Sequence, residues 1–568
     1  MKNRPQMSLL ESNYTGLKYH IMSKTSTGYA TSSLLDYKYE PLPKSQNGER
    51  WIRVLDLFPS TDKKEPITGR LRTILLDESS RYNAISYVWG DATSNTATVL
   101  IKDNDAQSQV CSKKIRENLL DGLRVFRLAN QERTLWVDAL CINQEDRDER
   151  SQQVGMMGVI FWLAECVLIW LGRDERRIAG EVFNYMQPIS WGYFHSKDPN
   201  HKRPRSSAET EALDPRIWSG IRELYCNPWF ERVWVQQEIG LAKKARFFWG
   251  EADCCHHDVL GFDLWLEQAG QLSVKRFNID RGVLRGTRSH WISYGRSTRQ
   301  AWGDDRNNFM TIRPFLATLI EGARCEATDP RDRVYGFLGH PSARRQYAYR
   351  PEQQIHYLKL MEEAGETLVK PDYNKTVDEV YLETAIALFH QQRDMRVLGA
   401  VRHTEESLAR DYPSWVPRWD AIRDQRPIGA IPFDSHPGIL LDDFPATWKI
   451  DRRESTDCIR ASCTLSGVVY QVIDRLFDFN DGSTWMQQHI RGRRFFRTKS
   501  EQDGIAPSVA RSGDIIVLML VSYAPCILRH VEGEEYKFVG TCHVYGIMDQ
   551  MSQIVNNDRS NIRKFTLI

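Results

Sequence analysis

Glu238 is the residue whose type and surroundings raise the clearest question of chemistry. It lies in the segment NPWFERVWVQQEIGLA (residues 227–242), and a helix there would place apolar side chains, including Trp234 and Leu241, beside its carboxylate. Desolvating a charge costs free energy unless another group compensates it. Glu238 is therefore either half of a structural ion pair, with Arg232 or a more distant arginine as its partner, or a catalytic carboxylate.

Four polar residues lie near the ends of predicted strands. Asp91 ends the run YNAISYVWGD, and Asp138, Asn143 and Gln144 lie near the end of TLWVDALCIN. Parallel sheets bind ligands outside the carboxyl ends of their strands, so we predict that these four side chains meet at one edge of a sheet and bind a ligand. Asp91 also has a structural interpretation, because an aspartate after a glycine often accepts a hydrogen bond within a turn.

Asp138 and two tryptophans also have structural interpretations. Asp138 interrupts an apolar run, so it needs a hydrogen-bonded or charged partner, which Arg147 or Arg150 of the following segment could supply. Trp89 and Trp234 are either core residues or flat aromatic surfaces on which a ring of the ligand stacks. Both interpretations stay open for each of these residues.

The cysteines indicate free thiols rather than a disulfide framework. The chain has 11 of them, an odd number, with no CxxC spacing. This pattern favours a reducing compartment. The one dense cluster, Cys-Cys-His-His at residues 254–257, lacks a second ligand pair at zinc-finger spacing. We therefore predict a polar turn after a strand there and no metal site.

The hydrophobic pattern between residues 51 and 255 alternates between strands and helices. Strands are predicted at 51–58, 68–78, 82–91, 134–143, 166–172 and 245–250, and helices at 114–131, 144–165, 176–187 and 227–242. The two strands at 134–143 and 166–172 are almost continuously apolar, which is typical of strands covered on both faces. We therefore predict an α/β fold with a mainly parallel sheet.

The pattern changes further along the chain and predicts four regions. Residues 1–50 form a polar tail, 51–255 the α/β domain, 256–400 a mostly helical region with an irregular basic loop at 275–308, and 401–568 a small β-rich domain. Only the α/β domain contains the candidate residues described above.

Composition excludes several classes of protein. The 568 residues carry a net charge of +2, which argues against a nucleic-acid partner. The most apolar run, 159–172, is shorter than the ~20 residues that cross a bilayer and contains Glu165. The first residues lack the apolar core of a secretory signal. We therefore predict a cytoplasmic protein with no membrane span.

Three segments resemble the signature blocks of the fungal heterokaryon-incompatibility (HET) domain. They are YNAISYVWGD (82–91), LWVDALCINQEDRDERSQQVGMM (135–157) and NPWFERVWVQQEIGLA (227–242), in the order found in that family. TDPRDRVYGFLG (328–339) and KPDYNKTVDEVY (370–381) resemble segments that follow the domain in ascomycete relatives. The resemblance implies a filamentous fungus, a role in non-self recognition or regulated cell death, and self-association or another incompatibility protein as partner.

A more distant resemblance is to TIR domains. AISYVWGD (84–91) is similar to their first strand, and Trp234 and Glu238 have the spacing of the tryptophan and catalytic glutamate of TIR enzymes that cleave NAD. This resemblance implies a TIR-like three-layer fold, Glu238 as the catalytic residue and NAD as a substrate, with no prosthetic group. An insertion of about 55 residues between Gly172 and Asn227 departs from the TIR pattern.

Three functions therefore stay open. The first is an NAD-cleaving HET domain gated by the region downstream of it. The second is a signalling scaffold of the same fold that acts by self-association or partner binding without chemistry. The third is a binding protein whose C-terminal β-rich domain recognises a ligand while the HET domain transmits the signal.

Overall fold

The computed structural model describes residues 34–45, 48–90, 95–102, 110–195, 214–268, 314–323, 325–346, 361, 365–392, 395–421, 448–453, 460–477, 493–520, 522–547 and 550–568. These residues form two nine-stranded sheets, one in each half of the chain. The predicted basic loop at 275–308 and the candidate residue Asp91 lie outside the described residues.

The first sheet contains β1 (Trp51–Leu57), β2 (Thr68–Leu75), β3 (Asn83–Tyr87), β4 (Thr96–Ile101), β5 (Cys111–Arg116), β6 (Arg133–Trp136), β7 (Cys166–Trp170), β8 (Ala245–Trp249) and β9 (Ala252–Cys255). The accompanying helices are α1 (Glu117–Phe126), α2 (Asp138–Cys141), α3 (Arg147–Leu163), α4 (Ala179–His195), α5 (Pro215–Tyr225), α6 (Val235–Gly240) and α7 (His256–Gln268). The spatial order of the strands is β5-β4-β2-β1-β6-β3-β7-β8-β9.

Four neighbouring strands of this sheet, β6, β3, β7 and β8, are parallel. Numbered by sequence, their order is 2-1-3-4, so the chain leaves β3 towards β6 on one side and later adds β7 on the other. The connections between them contain helices α1 to α6. Such an order creates a switch point at the carboxyl ends of the strands, where open α/β sheets bind ligands.

The sheet as a whole is mixed, which corrects the prediction of a mainly parallel one. Four of its pairings are parallel and four are antiparallel, because β1 runs against both β2 and β6, and β4–β5 and β8–β9 pair antiparallel. Strands β4 and β5 were not predicted, and β5 includes the first residues of the helix predicted at 114–131. The helix itself begins at Glu117, where its apolar face starts.

The strand predicted at 134–143 ends at Trp136. Asp138 instead begins the short helix α2, and its carboxylate accepts a hydrogen bond from the Ala139 N–H at 2.8 Å. The carbonyl of Val137 accepts hydrogen bonds from the amides of Leu140 and Cys141. The apolar run thus continues as a buried helical turn, since hydrophobicity alone does not distinguish a buried strand from a buried helix.

The segment at 227–242, predicted as one helix, is broken in two. A 3₁₀ helix spans Pro228–Glu231, with Asn227 as its N-cap, and α6 begins at Val235. Between them the amide of Val233 donates to the carbonyl of Glu326 at 2.9 Å. A downstream segment therefore takes the hydrogen bond that would have continued the helix.

The helices between the two sheets include α8 (Phe315–Gly322), α9 (Asp332–Tyr335), α10 (Val377–Gln392) and α11 (Glu405–Ala409). One hydrophobic cluster extends from β1 through α8, α9 and α10 to the second sheet, where it includes Leu465 and Phe565. Leu408 of α11 belongs to a second cluster. The boundaries predicted at residues 255 and 400 stay predictions. None of the described helices combines the length and apolar content that a membrane crossing requires.

The second sheet contains β10 (Trp448–Arg453), β11 (Arg460–Phe477), β12 (Arg493–Thr498), β13 (Asp503–Pro507), β14 (Ile515–Met519), β15 (Cys526–Glu532), β16 (Glu535–Thr541), β17 (His543–Val544) and β18 (Arg563–Leu567), with helix α12 (Met551–Asn557) before β18. It is almost wholly antiparallel. The C-terminal region is β-rich as predicted, although nine strands make it larger than the small domain expected.

Candidate functional site

The carboxylate of Glu238 lies against the buried face of β3. The hydroxyl of Ser86, the fourth residue of that strand, donates a hydrogen bond to Glu238 Oε2. Trp229 Nε1 donates to Ser86 Oγ at 2.7 Å, so the three side chains form a continuous chain of hydrogen bonds. Only 3% of Glu238 is exposed.

Burial raises the pKa of Glu238 to about 7. The positive charge of Arg232 and the hydrogen bond from Ser86 oppose this rise, while the negative charge of Asp138 adds to it. Arg232 donates to the carbonyl of Tyr87, and within the described part of the chain no ion pair joins it to Glu238. Among the described residues, a hydrogen bond from Ser86 therefore takes the place of the predicted ion pair.

Asp138 lies at the carboxyl end of β6, beside the exposed tryptophan that follows β3. Trp89 Nε1 donates to Asp138 Oδ2 at 2.7 Å, and the Tyr87 hydroxyl also hydrogen-bonds to this carboxylate. Burial raises the pKa of Asp138, although Arg232 lowers it in part. Asp138 is half-buried and Trp89 is 38% exposed, so this end of the site is open to solvent.

The partner predicted for Asp138 is wrong. The guanidinium of Arg150 lies 3.5 Å from the centroid of the Tyr373 ring and forms an ion pair with Asp329 at 3.7 Å. Arg147 is exposed at the start of α3. Arg150 thus contacts Asp329 and Tyr373, which lie far along the chain. The position of Arg150 near Asp138 in the sequence could not indicate these partners.

Asn143 and Gln144 lie in the loop between α2 and α3. Gln144 Nε2 donates to the carbonyl of Asp138 at 2.9 Å, so it orients the backbone of the candidate acid. The amide of Asn143 donates to Glu149 Oε1 at 2.7 Å, and its side chain accepts from the amide of Glu145. Gln144 thus joins the site directly, whereas Asn143 fastens the loop beside it.

Trp234 is bonded to a segment that lies downstream of the other candidates. Its Nε1 donates to Asp332 Oδ2 at 3.1 Å, and Tyr373 hydroxyl donates to the other oxygen of Asp332 at 2.6 Å. The amide of Glu238 donates to the carbonyl of Trp234, so the two residues do have the i, i+4 relation within one turn. The structure brings together Glu238, Trp89, Asp138 and Gln144, whereas the indole N–H of Trp234 is bonded to the downstream residue Asp332.

Residues 82–238 match the family model described as "Heterokaryon incompatibility protein (HET)". The chain carries a HET domain. It is 25% identical over 426 residues to heterokaryon incompatibility protein 6, OR allele, of Neurospora crassa, an alignment that covers 65% of this chain and 58% of that protein. The chain thus spans less than two thirds of that relative's length. No solved structure matches the present chain.

The HET prediction is therefore confirmed. The matched range extends from the start of the site at β3 to its candidate acid. The matched residues begin one position before β3 and end at Glu238 itself. Ser86 and its partner Trp229 lie inside the match, as do Asp138 and Gln144. The downstream partners of Trp234 lie outside it.

Several residues of the HET site were not predicted as site residues from the sequence. Besides Ser86 and Trp229, two asparagines form hydrogen bonds to the backbone just after the carboxyl ends of β3 and β7. Asn118 donates to the backbone after β3 at 2.7 Å and accepts from Trp170 Nε1, and Asn227 donates to the backbone after β7 at 2.8 Å. A serine or asparagine among apolar residues could have indicated these positions from the sequence. Such a polar side chain needs a hydrogen-bond partner when it is buried.

Chemically, the HET site combines an acid with pKa near neutrality and a solvent-facing aromatic ring. A carboxylate of this kind can accept a proton or stabilise a developing positive charge at neutral pH. The Trp89 ring, held at its edge by Asp138, presents a face on which a planar group can stack. Both features suit a ligand that is aromatic and becomes cationic during reaction.

Proposed function

We propose that this protein acts in fungal heterokaryon incompatibility and that its HET domain does so by cleaving NAD, with Glu238 as the catalytic carboxylate. The observation that carries the proposal is the burial of an acid with pKa near 7 beside β3, with no direct ion pair to it from the described residues. Perturbed acids in such positions are candidates for catalysis. The printed name of the Neurospora crassa relative supports the incompatibility role.

The strand order supports a TIR-like arrangement of the site. The order 2-1-3-4 of the parallel strands is that of flavodoxin-like sheets, whose ligands bind at the carboxyl edge near the first strand. In this chain that edge carries Trp89 and Asp138 and lies next to Glu238. The proposed substrate would therefore bind where doubly wound sheets commonly bind nucleotides.

The reaction balances with these groups and water. The bond between the ribose carbon and the cationic nicotinamide nitrogen breaks, and its electron pair leaves with nicotinamide, which becomes neutral. The ribose carbon becomes oxocarbenium-like, and an ionised Glu238 stabilises its positive charge. Water then adds to this carbon and releases a proton, which the carboxylate accepts. NAD is thus a substrate, and the proposal needs no prosthetic group.

Access to Glu238 explains why the downstream region would gate this activity. With 3% of the residue exposed, the site must open before substrate can contact the acid. The turn that carries Glu238 is held from outside the HET match, by Val233 bonded to Glu326 and by Trp234 bonded to Asp332. Release of these contacts would free the turn, so we propose that the region following the HET domain holds it closed.

The test is NAD consumption by the purified full chain at high protein concentration. Glu238→Gln keeps the size of the side chain and removes its charge, so turnover should fall to background while near-UV circular dichroism stays unchanged. Glu251→Gln is the control, because Glu251 is exposed and pairs with the exposed Lys63, and it should retain wild-type turnover. Equal turnover in Glu238→Gln and wild type would contradict the catalytic role.

A second function, a scaffold without chemistry, is favoured by the closure of the site. Ser86 satisfies Glu238 Oε2 within the folded chain, and such an acid can simply brace β3 against α6. In this case the domain acts by self-association or by binding another incompatibility protein. Absence of turnover in folded wild-type protein, together with reversible self-association in sedimentation experiments, would favour the scaffold.

A further inference from the structure

Three adjacent residues fold toward one another at the junction of β9 and α7. Cys255 Sγ lies 3.5 Å from His257 Nδ1 and 3.9 Å from His256 Nδ1. The three ligand atoms lie within 4.8 Å of one another. A turn between a strand and a helix therefore gathers one thiol and two imidazoles, although the sequence has no second ligand pair at finger spacing.

These separations are close to those of ligands around a tetrahedral metal ion. Zinc lies about 2.3 Å from a thiolate sulfur and about 2.0–2.1 Å from an imidazole nitrogen, so the two ligand atoms are about 3.6 Å apart. The two sulfur–nitrogen distances of 3.5 and 3.9 Å bracket this value. Small side-chain rotations would complete the geometry.

The two imidazoles lie close together, and one of them is fully buried. The rings of His256 and His257 lie 4.0 Å apart between centroids. His256 is 1% exposed and its Nε2 has no hydrogen-bond partner among the described residues.

The surroundings would tolerate a bound cation. Arg246 of the neighbouring strand is paired with Asp253, so its charge is largely compensated. Cys255 and His257 are half-buried, which leaves a path for an ion and for solvent at a fourth position. Asp258, in the first turn of α7, contributes a carboxylate whose charge acts on Cys255.

We propose that Cys255, His256 and His257 bind a transition-metal cation of the zinc type, with solvent as the fourth ligand. Thiolate and imidazole ligands select such borderline-soft ions over Mg²⁺ or Ca²⁺. On binding, the thiol of Cys255 gives its proton to solvent and its sulfur bonds the metal. His256 gives up its 3.1 Å contact with the carbonyl of Ala245: Nδ1 releases the proton that it donates there, Nε2 takes up a proton from solvent, and the freed Nδ1 bonds the metal.

The site is independent of the proposed NAD chemistry. Cys255 pairs with Arg246 at the amino end of β8, whereas Glu238 adjoins the carboxyl edge of the parallel strands. A metal there would fasten β9 to α7 and stabilise the fold rather than react with substrate. Loss of metal binding and loss of NAD cleavage can therefore be measured separately.

The test uses untagged full-length protein, stripped with a chelator and then titrated with Zn²⁺ or Co²⁺. We expect one ion per chain by elemental analysis, a thiolate-to-cobalt charge-transfer band, and a higher melting temperature with Zn²⁺. Cys255→Ser should abolish the band and weaken Zn²⁺ binding by more than the roughly 10–100-fold that loss of an outer-sphere partner costs. His257→Gln should also weaken binding.

Cys111→Ser is the matched control, because it removes a half-buried thiol on β5 and should keep both the band and the stoichiometry. Near-UV circular dichroism of each variant establishes that it is folded. Wild-type protein that binds no ion after stripping, or a Cys255→Ser variant that binds Zn²⁺ as tightly as wild type, would overturn the proposal.

Discussion

Two acids, Glu238 of α6 and Asp332, which is bonded to the N-cap residue Trp234 of that helix, have different surroundings. Asp332 accepts hydrogen bonds on both oxygens, from Tyr373 at 2.6 Å and Trp234 at 3.1 Å, and burial raises its pKa to about 6. Glu238 accepts one side-chain hydrogen bond from the part of the chain that the structure describes, that of Ser86, and its pKa is about 7. An acid with both oxygens bonded fastens segments together, whereas one with spare capacity can still receive a ligand.

The largest difference should be seen in enzyme activity. If the proposed NAD cleavage occurs, Glu238→Gln lowers kcat by about 10²–10⁴-fold, the range typical for loss of a catalytic acid or base. Asp332→Asn keeps the shape of the other acid and should leave the chemical step nearly intact. A comparable loss of kcat in both variants, measured as NAD consumption, would remove the distinction between the two acids.

Unfolding experiments should show the opposite order. Asp332→Ala leaves the Tyr373 hydroxyl and the Trp234 N–H without an acceptor, and we expect about 2–4 kcal/mol less free energy of unfolding. Urea denaturation measures this change. Asp503→Ala, which breaks an exposed ion pair with Arg497, is the control and should remain close to wild type.

The pH dependence of stability should report Glu238 specifically. Its pKa rises from 4.5 in the unfolded chain to about 7 in the folded protein, so the folded state binds this proton more tightly. The stability that results is complete below pH 4.5 and is lost as the pH rises through 7. We expect wild type to lose about 3 kcal/mol more than Glu238→Gln over this range. Identical pH profiles of the two proteins would contradict the raised pKa of Glu238.

The smallest effects should come from the aromatic partners. Trp89→Ala removes a stacking surface that is 38% exposed and should raise KM for NAD by about 10-fold with little change in kcat. Trp89→Phe keeps a ring and should change KM less. Tyr373→Phe, on the Asp332 side, should lower stability by about 1–2 kcal/mol and leave KM unchanged. An effect of Tyr373→Phe on KM would show that the surroundings of Asp332 and those of Glu238 act as one site.

The sequence was sufficient for features that depend on local pattern. The buried strands at 166–172 and 245–250 and the helix at 144–165 follow from hydrophobic periodicity, and the three quoted segments were sufficient to indicate the HET domain. What it could not provide depends on distant contacts. Val233 bonds to Glu326 and breaks a predicted helix, and Arg150 turns to Asp329 instead of Asp138. Such partners compete with local ones only after the chain has folded.

The hydrophobic cluster shared by both sheets has a thermodynamic consequence. Because Leu465 and Phe565 of the second sheet belong to the same packed cluster as β1, the regions they join should open together in hydrogen exchange. A molecule that binds only the native C-terminal sheet then stabilises the HET domain by mass action. Occupancy at one end of the chain thereby alters how often Glu238 becomes accessible at the other, even if no segment between them changes its average position.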